Sequence, residues 1–490
     1  MEMNQEELLK DIEVLQVKGS TDRDLAGITF DSRKIQPGFL FIAVKGTQSD
    51  GHEYVGNAVA SGAAAVICEH WPEHISPDVT YILVKDSACA LAKLASAFYD
   101  HPSRKFRLVG ITGTNGKTTT VTVLHRLFTA LGYKSGCFTT IRNYIGDETI
   151  EATHTTPDPV QLNRIMKDMA DRGCEYVFME VSSHALVQQR VAGLTFAGGI
   201  FSNITHDHLD YHKTFEEYLR AKKLFFDNLQ ADSFSLINAD DRNGRVMVQN
   251  TKSAVSSFGI HSMADFKGRI IESHVNGMLL NIDNTELWTK FIGEFNASNL
   301  LAVYSCARLL GQKKEEILRL ISLMDTVEGR FQYLQSEKGV TAVIDYAHTP
   351  DAVQNVLRTI GQIRKGDEQV ITVIGAGGNR DKTKRPVMAR VAAGMSDKLI
   401  LTSDNPRNED PAEIINDMKT GLDDISLAKT IIQPDRREAI KMACLLARKG
   451  DIILIAGKGH ETYQEVKGIK HHFSDLEEVS SLFALKPDQL

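Results

Sequence analysis

The stretch GITGTNGKTT, residues 110–119, decides how the rest of the chain is read. An apolar run, RLVGI at 107–111, leads into it, and a helical pattern runs from Val121 to Leu131 until Gly132 ends it. Strand, glycine turn and helix in that order form a cradle for phosphate. Backbone N–H groups converge on an anion at the helix N-terminus, where the aligned peptide dipoles favour negative charge. Lys117 is then placed to reach the β and γ oxygens of a nucleotide, and the Thr118 hydroxyl to hold Mg²⁺. Gly113, Thr114, Asn115, Gly116 and Thr119 complete the turn. In the strict pattern four residues separate the first glycine from Gly-Lys-Thr. Here Gly110 stands one residue too far from Gly116 and Gly113 falls inside the loop, so this is a variant.

The chain around this turn has 490 residues, too many for one core and enough for roughly two to four domains. An apolar fraction of 42% and a charged fraction of 24% are ordinary for a globular protein. The formal net charge of −7 argues against a nucleic-acid surface spread over the molecule, while leaving room for a local basic pocket. The six cysteines, Cys68, Cys89, Cys137, Cys174, Cys306 and Cys444, are scattered without a Cys-x-x-Cys pair, the usage of reduced thiols in a cytosolic protein. The polar, acidic N-terminus does not read as a signal peptide, and no run nears the roughly 20 apolar residues of a membrane span. The expectation is a cytoplasmic, multidomain α/β protein.

Three blocks are expected: 1–103, 104–331 and 332–490. The first holds the strand candidates 39–44 and 64–68 and ends in the polar, proline-containing break DHPSRK at 100–105. The second adds buried-strand candidates at 176–179 and 199–202 and closes near 327–330. The third alternates strands at 340–344, 370–374, 398–401 and 451–455 with helical stretches. Such alternation predicts parallel sheets covered on both faces, with ligands bound beyond the carboxyl ends of the strands. In the third block those ends carry 345–348, 375–380, 404–407 and 457–461, four polar loops predicted to share one sheet edge.

Other stretches carry chemistry. Glu180 closes the apolar strand of MEVSSH, 179–184, where a carboxylate could bind a metal or its water. NITHDHLDYH, 203–212, packs three histidines and two aspartates together. No third-ligand motif makes it a zinc site, and a His/Asp edge facing Mg²⁺ and phosphate suits its place better. YLRAKKLFF, 218–226, reads as an amphipathic helix whose Lys222 and Lys223 form a solvated basic face. LTSDNPRNEDP, 401–411, sets Arg407 in a turn among three carboxylates, either as a solvated charge or as the reader of an anionic ligand.

Taken in order, GTNGKTT (113–119), EVSSH (180–184), Asn203 with DHLD (207–210), GEFNASN (293–299), EGRF (328–331), DYAHTP (345–350) and the 375–386 loop resemble the Mur ligases. These are the ATP-dependent amide-forming enzymes of peptidoglycan precursor synthesis, and the resemblance spans nearly the whole chain. It implies three domains: an N-terminal one for the UDP end of the substrate, a central P-loop-type ATPase with a parallel-rich sheet, and a C-terminal Rossmann-like domain. It implies ATP and Mg²⁺, with Thr118, Glu180 and His208 on the metal. It implies that Lys222 carries an N6-carbamate, an anion able to help place a second Mg²⁺, which reverses the solvated reading of that helix. Lys117, Lys222 and His208 would serve catalysis. Asn299, Arg330 and Asp345 would contact ATP, Ser32 the UDP portion, and Thr155, Thr156, Ser182, Gln188 and Arg190 the muramoyl-dipeptide.

The resemblance is greatest to members that add the third peptide residue. Among these, the Asp404-Asn405-Pro406-Arg407 turn marks those that use meso-diaminopimelate rather than lysine. The chemistry agrees. The distal end of meso-diaminopimelate bears a carboxylate for Arg407 to grip, with Arg380 a second cation, and an ammonium for Asp404 and Glu461 beside Gly457. Three rivals are a folylpolyglutamate or cyanophycin-type ligase, a regulatory NTPase and a nucleic-acid-binding ATPase. The intact 404–407 turn and the 179–190 stretch disfavour the first, and the acidic net charge the third.

Overall fold

The structure, a computed structural model, describes residues 3–46, 49–152 and 154–485. Its frame is three large sheets met in chain order. The first has five strands, Gln16–Lys18, Thr80–Leu83, Ala65–Cys68, Phe39–Ile42 and Gly27–Thr29, parallel except at the first pair. The break after it holds two left-handed residues, Asp100 and His101, and the short helix Pro102–Arg104.

The second sheet has 11 strands. Its centre is Arg107–Thr112, flanked in parallel by Tyr176–Glu180 and Gly198–Phe201. From Leu108 to Thr112 no residue of this strand is exposed, as expected where helices cover both faces. The helices Lys117–Ala130 and Glu294–Leu309 bury Val121, Leu124, Leu300 and Val303 on one face. On the other face Pro159–Asp171 and Phe215–Asp227 bury Leu162, Met166, Tyr218 and Phe225. The helix after the nucleotide turn begins at Lys117, a full turn before the apolar periodicity sets in.

Gly110 proves to be a packing residue rather than part of the phosphate turn. A Cβ on it would come within 2.5 Å of the Phe225 ring, and one on Gly199 within 2.7 Å of the same ring. The two bare backbones let the helix Phe215–Asp227 press onto the sheet, which brings its lysine to the loop. Gly116, at φ +87°, is the turn's left-handed residue, and Asn299 fills the space a Cβ would need, at 2.3 Å. Beyond Ala254–Gly259 the sheet continues into an antiparallel meander, Phe266–His274, Gly277–Ile282 and Thr285–Thr289. Its strands interleave buried residues with partly or fully exposed ones, so a search for continuous apolar runs passes over it.

The third sheet has six strands in the order Gln332–Gln335, Thr341–Asp345, Ile452–Ala456, Val370–Ile374, Lys398–Leu401 and Thr430–Ile432. All pairs after the first are parallel. Two strands run one residue further than the apolar pattern indicates, so Asp345 is itself a strand residue and Gly457 follows the strand end directly. Among the described residues no helix is long and apolar enough to cross a membrane.

Candidate active site

The 113–116 loop closes around its own lysine. Lys117 Nζ donates to the carbonyls of Gly113 and Thr114, both at 2.9 Å. Lys222 Nζ reaches the same Gly113 carbonyl at 2.8 Å and lies over the Tyr218 ring at 4.6 Å. Lys222 is 1% exposed, so the solvated basic face is wrong for it. Only Lys223 turns outward, to Asp227 and Asn250. The reason is helical geometry: adjacent residues point about 100° apart, and the glycines beneath the helix draw the Lys222 side inward. Burial lowers the proton affinity of both amines. Nearby Glu180 and Asp207 oppose this for Lys117, whereas the charge of Lys117 reinforces it for Lys222.

Around the loop the candidate nucleotide residues interlock. Arg330 Nη2 donates to Thr118 Oγ1 at 3.0 Å, and its guanidinium lies over Tyr346 at 4.6 Å. Asp345 accepts from the Phe331 amide at 2.7 Å, and burial raises its carboxyl above the usual range. Asp351, at the start of the helix Pro350–Ile363, was not singled out by its residue pattern. It accepts from Asn115 Nδ2 at 2.9 Å and Thr205 Oγ1 at 3.3 Å, joining the third sheet's first helix to the phosphate loop.

Glu180 ends its strand facing the cleft, accepting from the Thr140 amide at 2.8 Å. Thr140 in turn donates to Thr155 at 3.1 Å, and Thr156 to the Glu180 carbonyl at 2.8 Å. Ser182 caps the helix Ser183–Val187. Arg190 is held by the Thr156 carbonyl at 2.6 Å and by Gln188 Oε1 at 2.6 and 3.0 Å, so Gln188 orients the guanidinium. The three histidines of 203–212 have different polar partners, although the rings of His208 and His212 both lie against His184 and Tyr218. His206 faces Asp381 at 3.8 Å, His208 faces Asp207 at 3.3 Å, and His212 meets Ser183 at 2.8 Å. Among the described residues no three His, Cys, Asp or Glu side chains form a metal site by themselves.

The 404–407 turn is tied to the hairpin Tyr463–Val466 and Ile469–His472. The Arg407 amide donates to the Glu465 carbonyl at 3.0 Å, and the Arg407 carbonyl accepts from the Lys467 amide at 2.7 Å. None of the carboxylates beside Arg407 in the sequence pairs with it. Glu409 forms a bidentate pair with buried Arg385 at 2.9 Å, and Asp410 caps the helix Pro411–Lys419. Arg407 instead donates to the Gly378 carbonyl at 2.8 Å and lies 3.4 Å from Glu465. Gly457 has φ +118°, and a Cβ there would come within 2.7 Å of Asp404 Oδ2. Behind this loop sits Lys458, also missed from the sequence, in reach of Asn405 and Glu461 at 3.0 Å and Asp404 at 3.7 Å. Burial, and then the charge of Asp404, raise the Glu461 carboxyl above its ordinary range.

These two groups of residues face one cavity of about 660 Å³. Its wall includes Thr114 to Thr119, Thr155, Thr156, Glu180, Ser182, Arg190, His208, Asn299, Arg330 and Asp345. It continues through Arg380, Asp404, Asn405, Arg407, Gly457 and Glu461, so all four loops of the third sheet open onto the nucleotide turn. Gly113, Lys222, Gln188 and Pro406 stand behind that wall. Ser32 lies apart, in the short helix Ser32–Lys34 that follows the first sheet's strand Gly27–Thr29.

Three family descriptions match the chain: "Mur ligase family, catalytic domain" over residues 24–99, "Mur ligase middle domain" over 111–307 and "Mur ligase, glutamate ligase domain" over 329–459. The UDP-N-acetylmuramoyl-L-alanyl-D-glutamate–2,6-diaminopimelate ligase of Bacteroides thetaiotaomicron is 56% identical over 477 residues, covering 97% of this chain and 99% of that protein. The enzyme of the same name from Bacteroides fragilis is 55% identical, covering 99% of this chain and 100% of that protein. A solved structure of a ligase of this name is 31% identical and superposes with a TM-score of 0.67, covering 99% of both chains.

Proposed function

The chain belongs to the Mur ligase family, and on that premise we propose that it joins meso-diaminopimelate to UDP-N-acetylmuramoyl-L-alanyl-D-glutamate at the expense of ATP. The observation that carries this reading is the single cavity shared by the phosphate loop and the 404–407 turn. Residues 1–103 would receive the UDP end, with Ser32 on it, residues 104–331 the ATP, and residues 332–490 the incoming amino acid. Transfer of the γ-phosphoryl group to the γ-carboxylate of D-glutamate gives an acyl phosphate and ADP. The amine of diaminopimelate then attacks the acyl carbon, loses its proton and expels inorganic phosphate. Activation is needed because a carboxylate is a poor acyl donor in water.

Phosphoryl transfer asks a protein mainly for positioning and charge neutralisation. Lys117, released from the loop carbonyls by an arriving phosphate, supplies one positive charge, and Arg330 a second beside Thr118. Asn299 and Asp345 flank the nucleotide. Thr155, Thr156, Ser182 and Arg190 hold the dipeptide, with Gln188 orienting the arginine. Mg²⁺ would be held by Thr118, Glu180, His208 and a modified Lys222, and would neutralise phosphate charge. The hydroxyl and carboxylate oxygens suit a hard cation. The free Lys222 amine does not, since it donates to the Gly113 carbonyl. A buried amine of lowered proton affinity is, however, the form that adds to carbon dioxide, forming an N–C bond and releasing a proton. Arg407, with Arg380, would grip the distal carboxylate, and Asp404 and Glu461 the distal ammonium.

The deciding experiment is phosphate release from ATP and the UDP-muramoyl-dipeptide with a panel of amino acids. Release should require both substrates and favour meso-diaminopimelate over lysine. Comparable turnover of lysine would overturn the assignment.

A further inference from the structure

The cluster behind the amino-acid pocket goes beyond these roles. Lys458 has a fully buried side chain and stands behind the cavity wall that Asp404, Asn405 and Glu461 form. Its amine has three N–H groups and three partners: Glu461 Oε2 and Asn405 Oδ1 at 3.0 Å, and Asp404 Oδ1 at 3.7 Å. Asn405 in turn donates to the same Glu461 oxygen at 2.8 Å and accepts from the Glu465 amide at 3.0 Å. One buried cation therefore links the 404–407 turn to the 457–461 loop. Two other cations lie nearby, and Asp404 and Glu461 both act on the charge of Arg436, but each has its own nearer partner. Arg436 is bound by both oxygens of Asp475 at 2.8 Å, and Arg407 lies against Gly378 and Glu465. Tyr346 and Tyr463, which also face Glu461 and Lys458, carry no charge to balance two carboxylates.

We propose that Lys458 is the positioning residue of the amino-acid pocket, fixing Glu461 and Asn405 from behind and leaving Asp404 and Glu461 with one uncompensated negative charge for an ammonium. The inference rests on the reading of this pocket as the diaminopimelate site, and wild-type turnover of meso-diaminopimelate tests that reading separately. Without Lys458, two carboxylates would share a buried site unbalanced, and like charges so placed disfavour joint ionisation.

The experiment compares Lys458→Met, Glu461→Gln and the double variant, measuring KM for each substrate. Lys458→Met should raise KM for meso-diaminopimelate by about tenfold or more while KM for ATP stays within about twofold. The double variant, which restores the net charge, should bind meso-diaminopimelate better than the product of the two single losses allows. An unchanged KM for meso-diaminopimelate, a parallel rise in every KM, or fully multiplicative losses would overturn the proposal. Should Lys458→Met alone fail to fold, Glu461→Gln against the double variant decides. Recovery supports the role, and further loss refutes it.

Discussion

The two ends of the cavity hold their charged groups in different ways. At the nucleotide end, Lys117 and Lys222 crowd onto one carbonyl and Arg330 stands over Thr118. The two amines rest on neutral carbonyl acceptors that an anion can replace, with the Glu180 and Asp207 carboxylates close by. At the amino-acid end, two carboxylates share a single buried lysine, and Arg407 sits to one side on the Gly378 carbonyl. This end offers a negative centre and a separate positive one, the complement of a zwitterionic head group. The difference also shows how each end is assembled. The nucleotide end is built on one contiguous turn that Lys222, Arg330 and Asp351 join from more than 100 residues away, the amino-acid end from loops more than 50 residues apart with no such turn at its centre.

Changing one end should leave binding at the other intact. The largest effect falls on the nucleotide end. Lys117→Ala should cut phosphate release by about 10³-fold, with KM for meso-diaminopimelate little changed, and a matched rise in that KM would show the ends to be coupled. Lys222→Ala should lower kcat by about 10²-fold, as loss of a group that serves the transition state does. Added short carboxylic acids should restore part of it, and full activity of the unassisted variant would dismiss the carbamate.

At the other end, Arg407→Ala should shrink the preference for meso-diaminopimelate over lysine by about 10²-fold, read as the ratio of kcat/KM values. The pH dependence sharpens the contrast further. Because the Glu461 carboxyl is raised, falling pH protonates it sooner than an ordinary glutamate. The free enzyme then loses an acceptor for the ammonium. The kcat/KM for meso-diaminopimelate should therefore show an acid limb approaching about tenfold per pH unit. Glu461→Gln should abolish that limb. The smallest effect belongs to the bridge between the ends. Asp351→Asn should raise KM for ATP about threefold, the scale of one weakened hydrogen bond, since Asn115 and Thr205 keep an acceptor oxygen there.

Much of this was legible in the sequence. The phosphate turn is local: its strand, glycines, lysine and hydroxyls are consecutive, and backbone geometry alone places them. The four loops of the third sheet were legible because parallel strands with helical crossovers must put their carboxyl ends on one edge. Gly110 was misleading, because a glycine that admits a ring and one that turns the chain look alike as letters.

The sequence by itself determined the α/β class, the phosphate cradle and the sheet edge that carries the four polar loops, because each follows from short-range periodicity and turn chemistry. The tertiary structure decided which charges are buried together. Lys222 faces inward because two glycines draw its helix onto the sheet. Arg407 ignores the carboxylates beside it in the chain, which are taken up by Arg385 and a helix cap. Lys458, two letters in a glycine-rich loop from its strand, became the counterion of a pocket only when that loop folded against a turn more than 50 residues away. Burial and long-range pairing are properties of packed space, and neither has a signature in a run of letters.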